Sequence, residues 1–200
     1  TSGVGQGSED EMNNSDIASK RTAWARLAKQ ITEKCMERKD WFREMCPARR
    51  LDEDERKQSL KAICTLNKQI AGLVDEMATL EQGGGIGVSV LIADPTPLAR
   101  TLVTVMVVSR LNPDVGHDAR GIRDLVDLVA GRDPEDSIIV RSMFRDDSLF
   151  RKHVNISFAP TLDESLCRLR ESSLNRLLGQ PPDETERATD AVALAGRWER

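Results

Sequence analysis

Apolar residues recur at helical spacing along the first part of the chain. Between Asp16 and Met45 they fall three and four residues apart, a pattern typical of an amphipathic helix. The stripe consists of Trp24, Leu27, Ala28, Ile31, Cys35, Trp41, Phe42 and Met45. Cys46-Pro47 ends it, because proline lacks a backbone donor and restricts the residue before it. We therefore predict a helix over residues 16–45.

A second helical stripe starts directly after this break. Asp52 followed by Glu55 is the capping-box signature of a helix start. The stripe then continues to Gln82 through Leu60, Ile63, Leu66, Ile70, Leu73, Met77 and Leu80. The two helices predict an antiparallel helical hairpin over residues 16–82, with arms of about 30 residues and roughly 45 Å each.

Glycine and polar residues divide the rest of the chain. The run Gly83-Gly84-Gly85-Ile86-Gly87 predicts a flexible linker and a domain boundary at residues 83–87. Residues 1–15 are rich in glycine, serine and acids, so we expect a disordered leader there. Residues 181–200 predict a polar tail, which leaves residues 88–180 as a second domain.

This second domain predicts three helices followed by a β-hairpin. Thr96-Pro97 opens a helix over residues 98–111, although its valines would also suit a strand. A second helix covers residues 118–130 and ends at Gly131. Pro134 opens a third, which contains Ile138, Ile139, Met143 and Phe144. Three helices and then a hairpin is the order of elements in a winged-helix domain.

The hairpin is predicted from a period-two pattern over residues 153–158, with residues 165–170 pairing back. Alternation places Val154, Ile156 and Phe158 on one face, which we expect to be the buried face, with Ile156 in the core. We expect them to pair with Leu166 and Leu169 and to cover Leu125, Ile139 and Leu177. A last helix is predicted to start at Ser172 or Ser173 and to end at Gly179.

The predicted fold class is therefore mostly α with a small β-hairpin (α+β). It consists of a long antiparallel helical hairpin, suited to coiled-coil packing, followed by a winged-helix-like domain. Of the 200 residues 39% are hydrophobic, and the longest apolar run, residues 102–108, is far shorter than the roughly 20 residues that span a bilayer. The chain starts with Thr1 and shows no secretory signal, so we expect a cytoplasmic protein and a fragment of a longer one.

No catalytic, cofactor-binding or metal-binding residue is predicted. The four cysteines form no Cys-x-x-Cys pair, and we expect Cys35 and Cys64 to be reduced core residues. The glycine run lacks the lysine of a phosphate-binding loop, and His117 and His153 lie in no catalytic pattern. Acids are paired at helix starts and turns, where carboxylates cap backbone amides. These pairs are Asp133 with Glu135 and Asp136, Asp146 with Asp147, and Asp163 with Glu164.

Charge limits the case for nucleic-acid binding, which winged helices often perform. The net charge is −4, and residues 20–61 hold 13 Lys or Arg against 8 Asp or Glu. Residues 118–180 hold 10 bases and 11 acids, whereas phosphate binding normally needs a basic stripe. In this alternative, a winged-helix DNA-binding regulator, the contacts would come from Arg141, Arg145, Arg151, Lys152 and Arg168.

Residues 141–179 resemble the winged-helix region that precedes the ATPase domain in a family of bacterial AAA ATPases. The resemblance is carried by the run Met143 to Lys152, by Leu166-Cys167-Arg168-Leu169, and by Ser172 to Gly179 with its final Leu-Leu-Gly. Residues 121–131 resemble the second helix of the same region. No Walker A or Walker B motif follows, and the helical hairpin has no counterpart in that family. The resemblance implies an N-terminal recognition or assembly region that delivers partners to an ATPase ring outside this sequence.

The sequence thus predicts a non-catalytic interaction module that binds a protein partner or associates with itself, needs no cofactor, and serves a AAA ATPase.

Overall fold

The computed structural model describes residues 6–45, 51–111 and 119–180. It is mostly helical with a small three-stranded antiparallel sheet, which confirms the predicted fold class at that level. The helices are α1 (Gln6–Glu44), α2 (Glu53–Glu81), α3 (Pro97–Leu111), α4 (Ile122–Ala130), α5 (Pro134–Ser142) and α6 (Glu171–Leu177). The strands are β1 (Arg120–Gly121), β2 (Val154–Ser157) and β3 (Leu166–Leu169). Cys46, His117 and the predicted tail over residues 181–200 lie outside the described residues.

Helices α1 and α2 run in opposite directions, because Trp24 meets Glu81 while Arg38 meets Asn67. The Asp52–Glu55 capping box forms as predicted. Helix α1 begins at Gln6, within the stretch for which a disordered leader was predicted. Extending an existing helix by one residue fixes few dihedrals, so a polar stretch next to a packed helix continues it more easily than it would start one.

The buried face of α2 is rotated from the predicted stripe. Ile63, Leu66, Ile70 and Met77 are buried as expected, together with Ser59, Val74 and Glu81. Leu60 is 51% exposed, and Cys64 is exposed rather than in the core, whereas Cys35 is buried. The neighbouring helices select one face, and Leu60 and Cys64 fall one position outside it.

Helix α3 lies at the centre of the molecule. Every residue from Thr101 to Ser109 is buried, because α1 and α2 pack on it as well as α4, α5 and β3. A helix that is covered on all sides is apolar around its whole circumference, which explains why its valines also suited a strand. Thr96 caps its first turn through a 3.2 Å bond from the Ala99 amide.

One hydrophobic core joins the two predicted domains. It contains buried side chains of α1 and α2 together with those of α3, α4, α6 and the sheet. The glycine run is not the flexible linker that was predicted: the amide of Gly87 donates to the Leu177 carbonyl at 2.7 Å, and Ile86 is buried in the core. The boundary at residues 83–87 therefore does not separate two cores.

The sheet has the order β1-β3-β2, with Val154 opposite Leu169 and Ile156 opposite Cys167. This register puts Cys167 and Leu169 on the core side and leaves Leu166 exposed, which corrects the predicted partner set. Val154 is buried as predicted, Ile156 is half-buried, and Phe158 is 73% exposed because the core ends before it.

The helix ends around the sheet lie where the capping residues in the sequence predict them, except at the start of α6. Gly131 ends α4 in the left-handed conformation at φ 58, and the Asp133 carboxylate caps the amides of Glu135 and Asp136. Helix α6 starts at Glu171 with Arg170 at the N-cap position, so neither Ser172 nor Ser173 caps it. Ser173 is instead buried beside His153.

Candidate interaction surface

A buried carboxylate, Glu81, organises the turn that follows α2. It accepts hydrogen bonds from the Trp24 indole at 2.9 Å, from the amides of Val88 and Ser89 at 2.8 and 3.1 Å, and from the Arg100 guanidinium. Its side chain is 1% exposed, so all these bonds lie out of water. Because every partner is part of the chain, Glu81 holds α1, α2 and α3 together and is not available to a ligand.

Arg38 performs a similar task at the other end of the helix pair. Its Nη2 donates to the carbonyls of Leu128 and Val129 at 2.6 and 2.9 Å, and its Nη1 donates to Asn67 at 2.7 Å. Burial lowers the pKa of its guanidinium, while the partial negative charge of the α4 C-terminus favours a cation there. Arg38 thus joins α1 and α2 to the end of α4.

Asp124 connects four elements through two cations. Lys39 of α1 and Arg120 of β1 both bind its carboxylate, and Arg120 also donates to Ser109 of α3 at 2.6 Å. Burial raises the pKa of Asp124, but the bonds from Lys39 and Arg120 outweigh it and the net pKa is lowered. The Asp124 carboxylate is therefore paired with partners from the chain itself as well.

His153 is the buried imidazole of the described chain. Its Nδ1 lies 3.1 Å from the Ser173 hydroxyl, and the ring is buried. Burial lowers the pKa of His153, and the charges of Lys152, Arg176 and Arg170 act in the same direction. A hydrogen bond with the Leu91 backbone offsets part of this effect. A Ser–His pair that is closed to solvent offers no approach for a substrate, so we assign it a structural role.

We expect His153 to make the fold sensitive to acid. Its folded pKa lies below its usual value of 6.5. As the pH falls through about 6.5, the unfolded chain therefore binds a proton before the folded chain does, and stability is lost. Urea unfolding of the wild type between about pH 7.5 and about pH 5.5 should show a steeper loss of stability than that of a His153→Gln variant, which lacks this imidazole. Equal pH slopes in the two proteins would contradict a neutral, buried His153.

The five predicted phosphate contacts do not form one free basic surface. Arg141 pairs with Asp163 through two bonds of 3.0 and 3.2 Å, which raise the pKa of the guanidinium. Arg151 lies 3.3 Å from Asp146 and stacks over the Phe158 ring. Arg145, Lys152 and Arg168 are exposed. Asp163 and Asp146 therefore make ion pairs, whereas they were predicted as caps.

Exposed apolar side chains are concentrated in the same part of the chain. Among the described residues, those between 138 and 166 include Ile138, Ile139, Leu149, Phe158 and Leu166. Ile138 is 69% exposed and Ile139 44% exposed, although Ile139 was predicted to be in the core. Val140 takes that core position. Helix α5 thus presents two adjacent isoleucines to solvent.

The side chains around these isoleucines are acidic at the N-terminal end of α5, and at its C-terminal end the positive charge of Arg141 is balanced by Asp163. The first turn of α5 carries Glu135 and Asp136, and Asp133 stands at its N-cap. Arg141, three residues after Ile138 and hence on the same side of the helix, is already paired with Asp163. We call the exposed part of α5, defined by Glu135, Asp136, Ile138 and Ile139, the α5 face.

Neither a metal cluster nor a membrane segment is found in the described parts of the chain. No group of three His, Cys, Asp or Glu residues there is arranged to hold a metal ion. No helix in those ranges is long and apolar enough to cross a bilayer. No protein-family model, curated protein or solved structure matches this chain.

Proposed function

We propose that this chain is a non-catalytic protein-interaction module of the bacterial cytoplasm, an accessory region of a AAA ATPase whose motor lies outside this sequence. In this proposal α3, α4, α5 and the sheet form a winged helix, and the α5 face receives a protein partner. The helical pair α1–α2 supports that domain from the opposite side of α3.

The winged-helix assignment is supported by the order of elements. Helix α3 is followed by β1, α4, α5, β2 and β3, and the short β1 joins the edge of β3. In winged helices the helix before the hairpin is the one that enters the major groove of DNA. Helix α5 holds that place here.

The proposal of a protein partner depends on the acidic and apolar side chains of the α5 face. A helix that reads DNA presents basic and polar side chains at its N-terminal end, close to phosphate and base edges. The α5 face instead presents Glu135 and Asp136 followed by Ile138, which is 69% exposed. Exposed adjacent apolar side chains beside charged ones are typical of protein contacts.

Site-specific photo-crosslinking in cells that express the chain tests this function. A photoreactive amino acid at Ile138 should give a discrete protein adduct, identified by mass spectrometry. The same probe at Leu60, which is 51% exposed on α2, should give none. An adduct at Ile138 that nuclease removes would contradict the protein-partner proposal. The proposal would also be contradicted if the probe at Ile138 gave no more adduct than the probe at Leu60.

The DNA-binding alternative retains one supporting observation, the exposure of Arg145, Lys152 and Arg168 near the hairpin. It requires duplex binding that weakens steeply with salt. An electrophoretic shift at low salt that is lost when all three are replaced by glutamine would favour it. The ATPase association has its own test, since it requires a Gly-x-x-x-x-Gly-Lys-Thr loop in the gene beyond the codon for Arg200.

A further inference from the structure

The two long helices form a groove where they lie side by side. Two adjacent depressions of about 500 and 440 Å³ lie between α1 and α2, and residues of these two helices line both of them. Lys34 and Gln69 belong to both depressions, so the two form one continuous groove. Most of the lining residues are exposed, and the groove is therefore open to solvent along the helical pair. We call it the α1–α2 groove.

A glycine lies in this groove without a reason in the packing of the chain itself. Gly72 is exposed in the interior of α2, and a Cβ added to it would meet no atom within 4 Å. Alanine would fit there and would favour the helix, since glycine weakens a helix interior. Glycine also allows another backbone to come close. A second helix that packs against α2 at this point would explain why the position lacks a side chain.

The charges of the groove change sign on either side of Gln69. Lys61 lies eight residues before Gln69 and Glu76 seven residues after it, which is about 12 Å and about 10.5 Å along the helix in opposite directions. Both side chains are exposed, and within the described ranges neither is in an ion pair, whereas Lys34 and Glu37 of the same groove are 2.8 Å apart. A partner of uniform charge would be repelled at one end.

This charge pattern is complementary to itself when it is reversed. A second copy of α2 that runs in the opposite direction places its Glu76 beside Lys61 of the first copy, and its Lys61 beside Glu76. Leu66 and Gly72 lie three residues before and after Gln69, so the same reversal places the leucine of each copy beside the glycine of the other. Large and small side chains then alternate across the contact, as close packing requires.

We propose that the α1–α2 groove is the contact between two copies of this chain, which are related by a two-fold axis that passes close to Gln69 and perpendicular to α2. Helices α1 and α2 of the two copies form a four-helix bundle. The two Gln69 amides face each other at the axis, where each has both a donor and an acceptor to offer. Exposed ion pairs contribute little affinity, so Lys61 and Glu76 select the antiparallel direction.

This inference goes beyond the proposed function, because it concerns a different surface. Residues of α5 do not line the α1–α2 groove. The dimer therefore presents two copies of the α5 face, and a partner with two binding sites gains affinity from engaging both.

Light scattering of the full chain and of charge-reversed variants tests the proposal. The wild type should form a dimer. Lys61→Glu and Glu76→Lys each place like charges together at both ends of the contact, so each should weaken the dimer by at least about tenfold. An equimolar mixture of the two variants should form a heterodimer, because every charge at positions 61 and 76 then meets an opposite one. The double variant Lys61→Glu/Glu76→Lys should dimerise again for the same reason.

Lys68→Glu and Asp75→Lys are the matched controls, because both residues are exposed on α2 and lie outside the groove lining. Both variants should dimerise like the wild type. All the substituted side chains are exposed, so the circular dichroism spectra of all variants should match that of the wild type.

Three results would overturn the proposal. The first is a wild type that stays monomeric up to its solubility limit. The second is a Lys61→Glu or Glu76→Lys variant that dimerises as tightly as the wild type. The third is a mixture of the two variants that stays monomeric, because Lys61 and Glu76 would then not meet across the contact. None of these results involves the α5 face, so the crosslinking experiment at Ile138 tests the proposed function separately.

Discussion

Replacing Glu81 with alanine is expected to destabilise the protein by about 3–5 kcal/mol, which is the usual cost of removing one partner of a buried ion pair. The substitution leaves the Arg100 guanidinium, 12% exposed, without its carboxylate. It also removes the acceptor for the amides of Val88 and Ser89 and for the Trp24 indole. Buried donors without acceptors add their desolvation cost to that of the unpaired charge.

Urea denaturation followed by circular dichroism measures this effect. Glu76→Ala, the same change at an exposed position of α2, should alter the free energy of unfolding by less than about 0.5 kcal/mol. The double variant Glu81→Ala/Arg100→Ala should recover part of the loss, since it removes the unpaired cation but not the unpaired amides. A Glu81→Ala protein as stable as Glu76→Ala would show that the carboxylate does not hold this turn.

Arg38→Met should cost about 2–4 kcal/mol, because methionine keeps most of the side-chain length but donates no hydrogen bond. The carbonyls of Leu128 and Val129 at the end of α4 would lose their donor. The favourable interaction of a cation with the helix C-terminus would be lost as well.

Arg43→Met is the control for this change, because the Arg43 side chain is 67% exposed near the end of the same helix. It should change the free energy of unfolding by less than about 0.5 kcal/mol. In the Arg38 variant, amides of α4 should also exchange faster than those of α2, since Arg38 contacts the last turn of α4 directly. Equal stability of the two variants would contradict the role of Arg38 as a link between α1 and α4.

Sequence reasoning missed Arg38, Glu81 and the exposure of the α5 face. Two of these had a signal in the sequence. Glu81 lies four residues after Met77 on the apolar stripe of α2, just before a glycine run whose amides need acceptors. Arg38 likewise lies on α1 between apolar positions, three residues after Cys35. No signal in the sequence indicated the exposure of Ile138 and Ile139, because two adjacent isoleucines in a short helix predict a core residue as readily as a surface one.

The sequence by itself determined where most helices form and how several of them end. Asp52 with Glu55, Thr96 with Pro97, Gly131 and Asp133 each act on backbone groups no more than four residues away, so their effect can be predicted without knowing the fold. The same holds for the existence of a helix-rich chain with a small hairpin, because it follows from the period of the apolar pattern.

Tertiary structure decided which positions of those elements are buried. The choice of Val74 over Leu60, of Cys167 over Leu166 and of Val140 over Ile139 depends on packing against elements far away in the chain. The same packing joined the two predicted domains, since Glu81 and Ile86 connect the glycine run to α1, α3 and α6. Burial is a property of the assembled core, whereas the local pattern specifies only which residues tolerate it.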